Sequence, residues 1–208
     1  MIVVEGPDGS GKTTLIKRVL ALYPAIEYVR FGGPPEDDAE GQRRLDWMLS
    51  FDPDKPTILD RCPAISERVY GKSIRKSVRP SDEACYKTLL KFIAKHDPLF
   101  IFTMPPNRYE AVAMSEERKE WKPDDFKKSV RQVYYRIVRA YEEEHRLVSR
   151  LVAPRLSMNR TRIDVYDMQN ARPWNTLMTI IRYIGEKFPW LWHSIGVFLQ
   201  NGEINAKE

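Results

Sequence analysis

The sequence predicts an α/β protein built on a parallel sheet with helices on both faces. Three observations carry that prediction. Short apolar runs of strand length alternate along the chain with longer stretches whose apolar residues recur at helical spacing. The first run passes through glycines straight into an amphipathic segment, the junction of a strand–turn–helix unit. The chain has 208 residues, 42% hydrophobic and 30% charged, which suits one folded domain and not a disordered one.

The elements follow in order. Met1-Ile2-Val3-Val4 is a short apolar strand. After the glycines, Leu15, Val19 and Leu22 share one face of a helix that ends before Pro24. Ile26 to Phe31 alternates as a second strand, and Gly32-Gly33-Pro34-Pro35 breaks the chain. Glu36, Asp37 and Asp38 then open a helix through Leu49, their charges favoured by its dipole. Thr57-Ile58-Leu59-Asp60 is a short buried strand, and Ser81-Asp82-Glu83 caps a helix towards His96. Leu99 to Thr103 is a fourth strand, stopped by Pro105-Pro106. Pro123-Asp124 starts the longest helix, with Val130, Val133, Ile137 and Tyr141 on one face. Ile163 to Asp167 is a fifth strand, and Pro173 begins a last helix carrying Leu177, Ile180, Ile181 and Ile184.

Gly6, Gly11, Lys12 and Thr13 satisfy G-x-x-x-x-G-K-[ST], within the run Gly6-Pro7-Asp8-Gly9-Ser10-Gly11-Lys12-Thr13-Thr14. Glycines let a backbone approach a polyphosphate and turn its N–H groups inward as an anion nest. The helix that follows presents its positive end to the same phosphates. Lys12 would add a point charge on the β- and γ-phosphates, and the Thr13 hydroxyl would help to hold Mg²⁺. A glycine-rich turn can match the pattern by chance, but here strand, loop and helix signals fall in the required order. The expected ligand is ATP with Mg²⁺, bound by Gly6, Asp8, Gly9, Ser10, Gly11, Lys12, Thr13 and Thr14.

Asp60-Arg61 is the second motif. An Asp at the carboxyl end of a buried strand sits where ligands gather in open α/β sheets. There Asp60 would either join Thr13 in holding the metal or orient an attacking oxygen, and Arg61 would clamp a phosphate bidentately. A plain salt bridge at a strand end is the other reading of the pair.

Net charge is +5, so acidic partners such as nucleotides are favoured electrostatically. The only cysteines are Cys62 and Cys85, and Met1 leads directly into the first strand, so the reducing cytoplasm is the expected compartment. The apolar stretch Trp190 to Leu199 is too short to span a membrane. His96, His145 and His193 are scattered without metal-ligand spacing, and no structural metal is expected.

Glu5 to Thr14 followed by Asp60-Arg61-Cys62, with Ser66 and Tyr70 beyond, resembles thymidylate kinases and the related deoxynucleoside kinases, and a phage-encoded member would fit. The resemblance implies a P-loop kinase fold: a five-stranded parallel sheet flanked by helices, with a mobile lid over ATP. It implies a kinase domain over residues 1–188, a lid at about 107–122 and a C-terminal tail over 189–208. By it, Asp8 would face the acceptor's sugar, Arg61 would grip the acceptor's phosphate, and Asp60 would lie near the metal and the transferred group. Catalytic roles fall to Lys12, Asp60, Arg61 and a lid residue. Arg118 is the lid candidate, and its alternative is a solvated helix start beside Glu116, Glu117, Lys119 and Glu120. The chain departs from the family's pattern at Cys62-Pro63, with one extra residue before Ser66, and its lid arginines are irregular.

The acceptor side is read from several clusters. Arg30, Phe31, Arg43, Arg44 and Trp47 would line its pocket, although Phe31 and Trp47 also suit the core, and only one of the adjacent Arg43 and Arg44 would reach a ligand. Arg68, Lys72, Arg75 and Arg79 would form one basic ridge if the helix continues past Gly71, a feature suited to a polynucleotide backbone; a solvated basic face is the alternative. Tyr134, Tyr135, Trp190 and Trp192 would stack unpaired bases or pack in the core. Cys62 is either a reactive thiolate or a small residue leaving room beside the acceptor base. The tail would pack across the sheet or form a homodimer contact. The expected acceptor is a pyrimidine deoxynucleoside monophosphate of the dTMP type; the alternative is a 5-hydroxymethyluracil base within DNA. A nucleotide switch or ATPase without an acceptor is a third reading, which leaves Asp60-Arg61 without a purpose.

Overall fold

The computed structural model of the protein describes residues 1–52, 55–104, 124–152, 163–167 and 173–188. Its strands are β1 (Ile2–Glu5), β2 (Glu27–Arg30), β3 (Thr57–Asp60), β4 (Leu99–Met104) and β5 (Ile163–Asp167). They form one parallel sheet in the order β2-β3-β1-β4-β5. The helices are α1 (Lys12–Leu22), α2 (Asp38–Ser50), α3 (Pro63–Tyr70), α4 (Asp82–His96), α5 (Asp124–Val152) and α6 (Pro173–Lys187).

Alternation along the strands sorts the helices between the two faces. Ile2, Val4, Ile58, Leu99 and Ile101 turn to one side and pack against Leu15, Ile16 and Val19 of α1 and Ile180, Tyr183 and Ile184 of α6. Val3, Leu59, Phe100 and Phe102 turn to the other, against α2, α3, α4 and the Ile137, Tyr141, Val148 and Val152 face of α5. Nearly all of these side chains are fully buried, worth about 1.5–3 kcal/mol each for the larger aliphatic ones. From β1 the chain passes to β2 and β3 on one side and then crosses to β4 on the other. The carboxyl end of β1 is therefore the point where the topology switches, the expected position of a ligand crevice.

The predicted strands and helices are present at nearly the expected bounds. The cap at Ser81 is as read, accepting from the Ala84 amide at 3.1 Å, and Asp37 also caps its helix, accepting from the Glu40 amide at 2.7 Å. The basic ridge is not. The α-helix stops at Tyr70, a wider π-turn runs from Gly71 to Arg75, and Lys76 turns left-handed at φ 59°. Even spacing of Arg68, Lys72, Arg75 and Arg79 along one face required a continuous α-helix, and that condition fails after Tyr70. The lid expected at 107–122, with Arg108, Arg118 and Lys119, lies outside the described residues. So do the tail at 189–208, Trp190, Trp192 and the side chain of Tyr134.

Candidate functional site

The loop between β1 and α1 is fixed from behind. Gly6 has φ 145°, and a Cβ there would lie 2.2 Å from the Thr103 carbonyl oxygen. The Ser10 hydroxyl donates to the Pro7 carbonyl at 2.7 Å and lies 2.7 Å from the Thr103 hydroxyl, which in turn donates to the Glu5 carbonyl at 3.1 Å. Ser10 is thus a buried pin between loop and β4. Gly11 caps α1 in the left-handed conformation at φ 85°, and no side chain caps that end. The first intrahelical acceptor there is used by Leu15, at 3.0 Å. The amides of Lys12, Thr13 and Thr14 precede it and have no carbonyl a turn earlier to meet. Such an end is built to receive an anion.

Beyond this loop opens a cleft of about 670 Å³, lined by Asp8, Gly9, Gly11, Lys12, Thr13 and Thr14 at one end. Asp60 and Arg61 line its middle, because β3 lies beside β1 and ends level with it, Val4 opposite Asp60. Phe31, the Gly32–Pro35 segment, Arg44, Tyr70, Ile74 and Arg75 line the other end. The two sequence motifs therefore meet in one cavity, of a size common for small-molecule sites.

Charge in the cleft is held under tension. The Lys12 ammonium donates to the carbonyls of Gly6 at 2.8 Å and Pro7 at 2.6 Å. Burial, and then the positive charge of Arg61, pull its pKa down to about 8. Arg61 has φ 79°, unusual for a residue with a side chain, and its own amide is tied to the Val4 carbonyl at 3.0 Å. Its guanidinium donates to Asp8 at 2.6 Å, to the Tyr141 hydroxyl at 2.7 Å and to the Gly6 carbonyl at 3.3 Å, and stacks on the Tyr70 ring at 5.1 Å. Asp60 is buried, accepts from the Tyr28 hydroxyl at 2.9 Å and lies 3.9 Å from Arg30.

Glu5 is a residue that motif reading passed over. It is fully buried at the end of β1 and accepts from the Cys62 amide at 2.5 Å, the Ser66 hydroxyl at 3.1 Å and the Tyr141 hydroxyl at 3.1 Å. Burial pushes its pKa up, while Arg61 and the Cys62 amide oppose that shift. Its partners lie 57 to 136 residues away along the chain, so no local signal announces them. A lone carboxylate closing an apolar strand was the available cue.

Several acceptor-side expectations change. Cys62 is entirely buried against Met48, burial pushes its thiol pKa up, and it does not line the cleft. It is a core residue, neither a thiolate nor a space beside a base. Arg68 pairs with Glu144 and Asp82, each at 2.9 Å, and Lys72 with Asp82 at 2.8 Å. Arg75 pairs with the buried Glu67, and Arg79 donates to the carbonyls of Pro35 and Glu36. These cations are all paired with carboxylates or carbonyls of the fold, and Arg75 and Arg79 also line the cleft. Of the adjacent pair, Arg43 is exposed away from the cleft, while Arg44 lines it, held by Glu40 and the Gly33 carbonyl. Phe31 lines the cleft with its ring edge-on to Trp47, and Trp47 stacks on Phe51 without reaching the cavity.

Oxygen donors suited to Mg²⁺ are present, since the Thr13 hydroxyl and the Asp60 carboxylate open on the same cleft. Among the described residues no three His, Cys, Asp or Glu groups cluster as a metal cage. Among them, too, no helix is long and apolar enough to cross a membrane.

The chain is similar to the YorR protein from Bacillus subtilis, whose crystal structure is in complex with phosphorylated GDP. The two are 14% identical over 89% of this chain and 96% of that one, with a TM-score of 0.58. It is also similar to deoxyadenosine kinase from M. mycoides, with products dCMP and dCDP bound, at 14% identity, 88% and 98% coverage and a TM-score of 0.47. No family model matches the sequence, and no curated protein matches it. The architecture is a parallel sheet flanked by helices, as the sequence predicted, and the likeness to the YorR structure is one of fold.

Proposed function

We propose that this protein is an ATP-dependent phosphotransferase acting on nucleotides, with a pyrimidine deoxynucleoside monophosphate of the dTMP type as acceptor. The observation that carries the reading is a single cleft shared by the phosphate loop, the Asp60-Arg61 pair and an aromatic-lined far end. The loop amides and Lys12 would hold the β- and γ-phosphates of ATP, moving the ammonium off the Gly6 and Pro7 carbonyls. Mg²⁺, when bound at Thr13 and Asp60, would neutralise charge on those phosphates. Arg61 would meet the acceptor's phosphate, exchanging Asp8 for it, and Asp8 would turn to the acceptor's sugar. Phe31 at the far end offers a ring to a base. Residues 1–188 would form the kinase domain, with 107–122 as its lid, Arg118 supplying charge there and 189–208 as a tail. Catalysis of this kind is positioning and charge stabilisation, with water kept out.

The second reading, phosphorylation of a 5-hydroxymethyluracil base within DNA by a phage-encoded relative, draws on the basic ridge, whose cations have acidic or carbonyl partners within the fold. The altered Asp60-Arg61-Cys62-Pro63 motif still favours it. Incubation with γ-labelled ATP and Mg²⁺, beside dNMPs, deoxynucleosides and hydroxymethyluracil-containing DNA, separates the readings. Label on a mononucleotide is expected. Label retained on the polymer would replace the first reading with the second, and release of phosphate alone would overturn both.

A further inference from the structure

Arg61 is a long side chain that must hold one orientation to meet a phosphate, yet it sits on a strand end with an unusual backbone turn. What orients it comes from α5, eighty residues further along. The Tyr141 hydroxyl accepts from Arg61 Nη1 at 2.7 Å and donates to Glu5 Oε2 at 3.1 Å, and Tyr141 is fully buried. One hydroxyl therefore joins a cation to a buried carboxylate, and its single proton fixes the direction of the chain: Arg61 to Tyr141 to Glu5. Burial drives the Tyr141 pKa well up, so that proton stays in place. The Tyr70 ring, edge-on to Tyr141 at 6.0 Å, closes the other side of the guanidinium.

Resting on the phosphotransferase reading, we propose that Tyr141 is the positioning residue for Arg61, holding the guanidinium edge that faces the cleft in the orientation an acceptor phosphate requires. One turn further along α5, Glu144 makes a separate link to α3 through Arg68 at 2.9 Å. Arg68 shares none of Arg61's hydrogen-bond partners given above, so this second link supplies a control: it secures the same α5 without touching the acceptor group.

The test compares Tyr141→Phe, which removes only the hydroxyl, with Glu144→Gln. In Tyr141→Phe the KM for the acceptor is expected to rise about 10- to 100-fold, the worth of a hydrogen bond to a charged group, with the KM for ATP nearly unchanged. Glu144→Gln is expected to lower the unfolding midpoint and leave the acceptor KM alone. Equal rises for ATP and acceptor, or the same acceptor effect in Glu144→Gln, would reduce Tyr141 to a packing residue and overturn the proposal. A second measurement is independent of turnover: ¹⁵N NMR of the Arg61 guanidinium, assigned with Arg61→Lys. Slow rotation of that group is expected in the wild type and fast rotation in Tyr141→Phe. Unchanged rotation overturns the proposal even if the protein transfers phosphate, whereas absence of transfer in the wild type sinks only the functional reading. Should Tyr141→Phe fail to fold, Glu5→Gln weakens the other end of the chain and is expected to free the guanidinium likewise; slow rotation there overturns it too.

Discussion

Gly6 lies against Thr103 so closely that a methyl group on it would meet both the carbonyl oxygen, at 2.2 Å, and the side-chain hydroxyl, at 2.5 Å. Backbone cannot give way there as a flexible side chain would. Gly6→Ala is therefore expected to destabilise the fold by about 1–3 kcal/mol and to displace the loop from its pin on β4. Urea unfolding with an ATP titration checks it; a melt and affinity like the wild type's would refute the pin.

Lys12→Ala is expected to lower phosphate transfer by about 100- to 1,000-fold, the usual cost of losing one charge-stabilising donor. The fold should persist with an equal or higher melting midpoint, because burial already disfavours the ammonium, as its depressed pKa shows. A fall in stability would show that the contacts with Gly6 and Pro7 outweigh desolvation.

Arg61→Ala is expected to impair acceptor use chiefly, raising the acceptor KM about tenfold or more while ATP hydrolysis without acceptor continues. Equal losses of hydrolysis and transfer would refute that division between the two ends of the cleft.

Much of this was legible beforehand, for physical reasons. The phosphate loop and Asp60-Arg61 are local patterns, and the strand and helix periods surrounding them are strong. The basic ridge was misread because spacing arithmetic assumes an unbroken helix. At Gly71 the chain passes so near the Ser77 carbonyl, 2.5 Å from a hypothetical Cβ, that a wider turn closes there. Cys62 was misread because its neighbours in sequence are site residues while its neighbours in space are Met48 and the core. Glu5 and Tyr141 escaped because their meaning lies in contacts that only the sheet order and α5 create.

Arg68 and Glu144 form an ion pair with side chains 10% and 8% exposed. Arg68→Ala leaves Glu144 in the interior without its main counter-ion and is expected to cost about 3–5 kcal/mol, read from urea unfolding. A loss below 1 kcal/mol, typical of surface pairs, would mean that water reaches Glu144 freely.

Burial lowers the pKa of both His96 and His145. Between the depressed folded value and the ordinary 6.5, the unfolded chain binds more protons than the folded one. Stability is then full above pH 6.5 and falls as pH drops through the folded value. Melting midpoints taken from pH 7.5 to 5.5 should decline, and His96→Gln with His145→Gln should flatten that decline; an unaltered slope would assign it to other groups.

Adjacent parallel placement of β1 and β3 confines the most demanding geometry to two short strand ends that share one backbone ladder. The Gly32–Pro35 segment, by contrast, hangs between β2 and α2, its carbonyls gripped by Arg44, Arg75 and Arg79 from outside the ladder. Evolution, or an engineer, can lengthen or rewrite that one connection to admit a differently shaped acceptor while the phosphate-handling machinery stays in register. Innovation in substrate choice is thus decoupled, by topology, from preservation of the chemistry.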